Sequence, residues 1–398
     1  MTSASVAIVG AGLGGLACAL ALSQRGLDVR VYEQAPKLTE VGAGVQLSAN
    51  ATRVLQALGI GPALASTAVV PTDKLIRLWN SGEAFKAFDV GPMSEALYGA
   101  PYLTLHRHDL QAALAQALEA AAPGSLKLGR RCVGLELDEE GVDLLFEGGG
   151  RERAQLVVGA DGVHSQVRRT LFGASDPVFT GVVAWRGVIP AARLDPAMLA
   201  PVSTTWIGPA AHAVTYPLRG GALLNYVSVV ERDDWRVESW SCPGTVEECL
   251  ADYRGWSPQL LQVIAAIETP YKWALFGRAP MPRWSDGRAT LLGDACHPML
   301  PFLSQGAAMA IEDALVLARC LERWPGDIGQ ALGRYEAARI GRTTRAVEGS
   351  AANQQRYHAL ELKGPDDARR YVAQQWAEPK VRERYDWIFS YDATSVPL

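Results

Sequence analysis

The chain has 398 residues, 48% of them hydrophobic and only 20% charged, so it can bury one large core or two smaller ones and is not a disordered tail. A net charge of −4 with acids and bases interspersed offers no basic stripe to a phosphate backbone, and no CxxC or HxxxH spacing marks a zinc site, so neither nucleic acid nor a metal is an expected partner. The six cysteines, Cys18, Cys132, Cys242, Cys249, Cys296 and Cys320, contain no CxxC pair, which argues against a disulfide framework or dithiol centre and fits a cytoplasmic protein.

The chain opens with an uncharged apolar run that extends to Arg25. Gly10, Gly12, Gly14 and Gly15 break it at its centre, which a signal peptide or membrane span would not tolerate. No other segment is long and apolar enough to span a bilayer, so no membrane association is expected. Ser5 to Val9 predicts a strand, GAGLGG a tight turn, and Leu16 to Leu22 a helix that Gly26 stops. A second strand, Val29 to Tyr32, ends at Glu33. Gly10 permits the turn, Gly12 lets the backbone approach a pyrophosphate, and Gly15 allows close packing of helix on strand. With Leu13, Gly14 and Gln34 they form a candidate dinucleotide site, in which Glu33 accepts hydrogen bonds from ribose. This segment fits FAD and NAD equally, because both carry the same ADP half.

Further along, Lys74 to Trp79 predicts a strand, and LHRHDL around Arg107 opens a helix. Leu156 to Arg169 (LVVGADGVHSQVRR) predicts an apolar strand ending at Gly159, Asp161 and Gly162, with Ser165 as a helix cap. Between Phe179 and Phe276 short alternating strands rich in aromatics predict an antiparallel sheet, with one helix over Trp256 to Ile267. Gly287 to Leu321 is another apolar strand running into Gly293 and Asp294, then a Pro-rich loop and a long amphipathic helix opened by Gly306. From Asp327 the chain is mostly helical and polar. It ends in an aromatic-rich tail, Tyr385 to Ala393, expected to serve packing or a subunit contact.

GAGLGG, ADGVHS and GDACHPMLPFLSQGAAMAIEDA, in this order and at these intervals, resemble the single-component (group A) FAD-dependent aromatic hydroxylases, in particular their salicylate hydroxylase-like branch. The resemblance covers nearly the whole chain and implies an α/β, p-hydroxybenzoate hydroxylase-like fold. A discontinuous Rossmann-like FAD-binding domain would comprise 1–70, 101–177 and 278–345, an antiparallel β-sheet substrate domain 71–100 and 178–277, and a C-terminal helical tail 346–398. It implies FAD as cofactor, NADH or NADPH as co-substrate, and O2 activated as a flavin C4a-hydroperoxide that attacks an electron-rich ring. The partners implied are a small aromatic acid and a second copy of the chain in a homodimer.

Carried onto this sequence, the resemblance gives Glu33 to the ribose, Arg107 to the dinucleotide, Asp161 to a segment serving FAD and nicotinamide, Asp294 to the ribityl chain and Pro298 to the flavin near its reactive carbon. The N–H groups of Gly306 and Ala307, opening a helix, suit the negative charge of the reduced ring edge. Gly42 to Gln46, including Gly44 and Val45, reads as a close backbone approach to the ring or as a structural turn. The substrate needs a base near neutral pH. His212 and Tyr216 lie four apart on HAVTY and so share one strand face, where related hydroxylases place substrate-contacting His and Tyr. His212 is the expected base and Tyr216 the orienting group; the alternative is a solvent-edge histidine and a core tyrosine. His297 ranks below His212, as a structural residue on the cofactor side.

Arg77, Arg186 and backbone N–H groups are the candidate anchors of an acidic substrate. Pro301 and Phe302 are expected at the substrate. A hydroxynicotinate monooxygenase would carry His where Phe302 and Gln46 stand, and a 3-hydroxybenzoate 6-hydroxylase Gln where Pro301 stands; this chain has the salicylate-like residues instead, which ranks both alternatives below the salicylate-like reading. A non-catalytic FAD-binding sensor is the alternative of a different class.

Overall fold

The computed structural model describes residues 5–39, 43–237, 239 and 242–398. Gly42, expected at a close backbone approach, lies outside the described residues.

The strand Ser5–Val9 is buried from Val6 onward, as an apolar strand covered on both faces must be. It lies at the middle of a sheet in which Ala289–Leu291, Leu156–Gly159, Ser5–Val9, Asp28–Tyr32 and Leu126–Lys127 run parallel in that order. Ser285–Asp286 adds an antiparallel edge. The helix Leu13–Ser23 is apolar nearly all round and packs between this sheet and the helix Gly306–Arg323. Strands far apart in the chain therefore end side by side, and the three glycine-containing segments meet at their carboxyl ends. That is where parallel α/β sheets bind ligands.

A second sheet has seven strands in the order Tyr271–Gly277, Val178–Pro190, Leu223–Glu231, Ala211–Leu218, Ser203–Gly208, Asp73–Leu78 and Ala84–Asp89. Neighbours are antiparallel except for Ser203–Gly208 with Asp73–Leu78. Alternation sends Trp185, Ile189, Trp206 and Tyr226 to one face, under the helices Val246–Asp252 and Pro258–Ala265. The helix expected from Trp256 starts only at Pro258, whose fixed φ suits the first turn. The opposite face carries Ile76, Val182, Ala184, Ile207 and Val229.

That opposite face is covered by the C-terminal region. The boundary expected at 345/346 falls inside one continuous helix, Ile328–Tyr357, which no proline interrupts. Helices Pro365–Gln375 and Glu378–Phe389 follow, and Tyr357, Trp376, Tyr385 and Phe389 join the same apolar cluster as the sheet. No helix among the described residues is long and apolar enough to cross a membrane.

Candidate active site

At the carboxyl ends of the parallel strands lies a cavity of about 610 Å³. Gly10 adopts φ +104°, and a Cβ there would stand 2.4 Å from the Ala160 carbonyl oxygen, so only glycine lets the two strand ends approach. A Cβ on Gly15 would stand 2.1 Å from the Gly10 oxygen. A Cβ on Gly12, by contrast, would meet nothing within 4 Å, because that residue faces the cavity from the N-terminus of the helix Leu13–Ser23. Glu33 accepts the Ala11 N–H at 2.8 Å on one carboxylate oxygen and the Ala35 N–H at 2.9 Å on the other. Two backbone donors thus fix the acid at the cavity wall, each oxygen keeping a lone pair for a ligand hydroxyl. The glycine cradle, the helix N-terminus and the fixed acid fit the ADP half of FAD.

Leu13, Gly14, Gln34, Arg107, Asp161, Asp294, Gly306 and Ala307 all line this cavity. Asp161 also works locally, accepting from the Ser165 hydroxyl at 2.5 Å and from the N–H groups of Gln166 and Val167, which caps the helix Gln166–Phe172. Burial raises its pKa. Asp294 has no hydrogen-bonding side chain beside it among the described residues, and its Oδ1 lies 3.8 Å from where a Gly306 Cβ would be. Arg130, Arg131, Arg169 and His164 also line the wall. Sequence reasoning passed over them; the basic pair in GRRC, following a strand of the same sheet, was the available signal.

Beneath this wall the helix Gly306–Arg323 carries two adjacent buried acids. Arg339 bonds Glu312 and Asp313, each at 2.6 Å, and Arg342 bonds Glu312 at 2.7 Å. His297 meets Asp313 at 2.6 Å, and the Gly293 N–H donates to the same acid. Burial opposes ionisation of Asp313, but His297 and Arg339 outweigh it and hold the pKa below the usual range. His297 is therefore a buried brace of the Gly293–Ala295 turn.

A second, small cavity of about 20 Å³ lies between the seven-stranded sheet and the loop before Gly306; it has room for about one water. His212, Pro301 and Phe302 line it, with Gln46, Lys74, Thr205, Ser304 and Tyr357. His212 is buried and its ring lies 5.1 Å from that of Phe302. Its Nδ1 is 2.7 Å from Nε2 of His358, whose Nδ1 is 2.7 Å from a Glu231 carboxylate oxygen. Glu231 is 44% exposed, so this chain of hydrogen bonds runs from the cavity to solvent. Burial, and secondarily His358, pushes the His212 pKa well below 6.5, while the hydrogen bond from His358 holds Glu231 below its ordinary value.

Tyr216 shares the His212 face, as strand alternation requires, but packs at its other end. A Cβ on Gly44 would stand 2.5 Å from the Tyr216 ring, and the Gly44 N–H donates to Asn225 at 2.7 Å. Gly44 is thus placed by its close approach to the tyrosine. Neither Gly44, Val45 nor the buried Pro298 is on the wall of either cavity. Arg186 is buried over the rings of Tyr271 and Trp273 and does not line the His212 cavity. Burial, with Arg107 adding repulsion, lowers its pKa to about 10. Arg77 points to the opposite face, where it donates to the Gly82 carbonyl and lies over Trp206. Lys74, Tyr357, His358 and Glu231 escaped sequence reasoning; among them only the burial alternation of Asp73–Leu78, which turns Lys74 inward, was open to it.

A parallel sheet with a glycine cradle, joined to a second sheet that closes a histidine-lined cavity, fits an FAD-binding oxidoreductase. The FAD binding domain family matches residues 3–350. The chain is 38% identical over 392 residues to a 3-amino-4-hydroxybenzoate 2-monooxygenase of Streptomyces platensis, covering 98% of this chain and 97% of that one. It is 36% identical over 396 residues to the 6-hydroxynicotinate 3-monooxygenase of Bordetella bronchiseptica, with coverage of 99% and 96%. A salicylate hydroxylase solved with substrate superposes with a TM-score of 0.80 at 28% identity, over 99% of this chain and 97% of that one. The protein belongs to the FAD binding domain family and is a group A flavoprotein aromatic hydroxylase, an FAD-dependent monooxygenase.

Proposed function

We propose that the protein hydroxylates a small aromatic acid bearing a ring hydroxyl, using NADH or NADPH and O2, with His212 as the base for the phenolic proton. The observation that carries this reading is the His212–His358–Glu231 chain. With Glu231 ionised, His358 donates its Nδ1–H to the carboxylate, and its Nε2 accepts the Nδ1–H of His212. The Nε2 lone pair of His212 is then the acceptor of the ring.

A buried imidazole with a depressed pKa cannot keep a proton for long. In the proposed step His212 takes the phenolic proton on Nε2 while its Nδ1 proton moves to His358, which releases its own Nδ1 proton to Glu231. The positive charge leaves the interior, and the phenolate left behind is the more electron-rich ring. Tyr216, whose hydroxyl burial keeps protonated, orients the substrate from the far end of the same face, and Pro301 and Phe302 cover the ring.

When bound, FAD supplies the transfer of electrons from nicotinamide to O2 and the electrophilic oxygen. Gly10, Gly12, Leu13, Gly14, Gly15, Glu33 and Gln34 would hold its ADP half, Arg107 and Asp161 its middle, Asp294 the ribityl chain, and the free N–H groups of Gly306 and Ala307 the ring edge. Gly44, Val45 and Pro298 would flank the ring from outside the cavity, and Arg186 would add positive potential. The relatives named above act, by their names, on hydroxylated benzoate and pyridine carboxylates. The test is a panel of such acids scored for NADH or NADPH consumption coupled to hydroxylated product. Nicotinamide oxidation without product for every acid overturns the reading.

A further inference from the structure

Strand Asp73–Leu78 alternates, so Lys74, Ile76 and Leu78 turn inward while Arg77 turns away. Lys74 is only 9% exposed, lines the His212 cavity, and makes no ion pair with any described carboxylate. Burial pushes its pKa down, and among the described residues the Tyr385 hydroxyl is what supports its charge. An ammonium placed this way costs several kcal/mol unless an anion meets it.

We infer that Lys74 anchors the substrate carboxylate, and that the acid sits across the ring from the hydroxyl delivered to His212. This rests on the phenolic-acid reading above and narrows it. Lys74 pairs with Ser203 and His212 with Ile207, on the two strands flanking Ser203–Gly208. The two residues are therefore offset by four positions, roughly 13 Å of strand. Thr205 and Val214, paired with one another, line the floor between them. Cation and base thus stand at opposite ends of one cavity, which suits a carboxylate para to the hydroxyl better than one ortho to it.

The holoenzyme is titrated with 4-hydroxybenzoate, 2-hydroxybenzoate and phenol, following the flavin absorbance. 4-Hydroxybenzoate is expected to bind tightest of the three. In K74M its affinity falls about 10- to 100-fold, the size of a lost charge-assisted hydrogen bond, while that for phenol stays within about twofold. K74R keeps most of the preference. Because the readout is the acid-to-phenol ratio within each variant, loss of folded protein cancels. A wild-type preference for 2-hydroxybenzoate, or an unchanged ratio in K74M, overturns the anchor and leaves the hydroxylase reading intact. Binding of none of the three by wild type also overturns the anchor, while the hydroxylase reading falls only with the wider acid panel.

Discussion

Replacing His212 by Asn should lower coupled hydroxylation by about 10²-fold or more, the range of general-base catalysis, while reduced nicotinamide is still consumed. H358N keeps His212 but cuts its path to Glu231. About a tenfold slower hydroxylation is expected, recovering as pH rises and the phenol ionises in solution; an unshifted pH–rate profile would remove His358 from the reaction. The same histidine sets a sign for stability. The folded protein holds His212 neutral, with a pKa depressed below the 6.5 of an unfolded chain. Its contribution is therefore present above about pH 6.5 and lost as pH falls toward the folded value. Melting temperatures of wild type and H212N should converge between about pH 7 and 5. At this scale the sequence was partly legible. His212 showed through its alternation with Tyr216, but His358 lies 146 residues away on another element, and no local pattern joins them.

Strand Gly44–Leu47 lies where Tyr216 and Asn225 meet the FAD side, so G44A must displace the tyrosine ring. FAD binding is expected to persist while the ratio of product formed to nicotinamide consumed falls; equal loss of both would assign Gly44 to the cofactor instead. The buried braces behave differently. R339M leaves Glu312 and Asp313 without their shared cation, and a loss of about 3–5 kcal/mol in unfolding free energy is expected by denaturant titration. The turn at Gly10–Gly15 was readable because backbone contacts at Gly10 and Gly15 leave no room for a side chain, so the residue type itself reports the geometry. The acids of the helix Gly306–Arg323 were read only as part of a motif. What they hold, Arg339 and Arg342, is set by how a later helix crosses this one.

For the whole molecule, alternation and glycine spacing made single elements legible, and the fold class, with its discontinuous parallel sheet, came from the resemblance carried by GAGLGG, ADGVHS and the segment Gly293 to Ala314. The aromatic tail was expected to serve packing or a subunit contact, and it packs; which surface it covers was not legible, because the polar composition of the C-terminal region hides an apolar stripe that covers the second sheet and brings Tyr357 to the cavity. With FAD proposed at the junction of the parallel strands, it should stabilise the folded chain by about 2.7 kcal/mol at a hundredfold excess over its Kd. E33Q replaces one of the two acceptors that fix residue 33 with an amide donor and takes away an acceptor proposed for ribose. The melting temperature gained on adding FAD should shrink accordingly.

The His212 cavity, sized for a single water, has a kinetic consequence. An aromatic ring enters only after side chains part, so part of the binding energy is spent on an unfavourable opening equilibrium and the apparent affinity falls by the open fraction. Where that opening precedes association, the observed binding rate in rapid mixing should level off with ligand concentration, at the rate at which the pocket opens rather than the rate at which molecules collide.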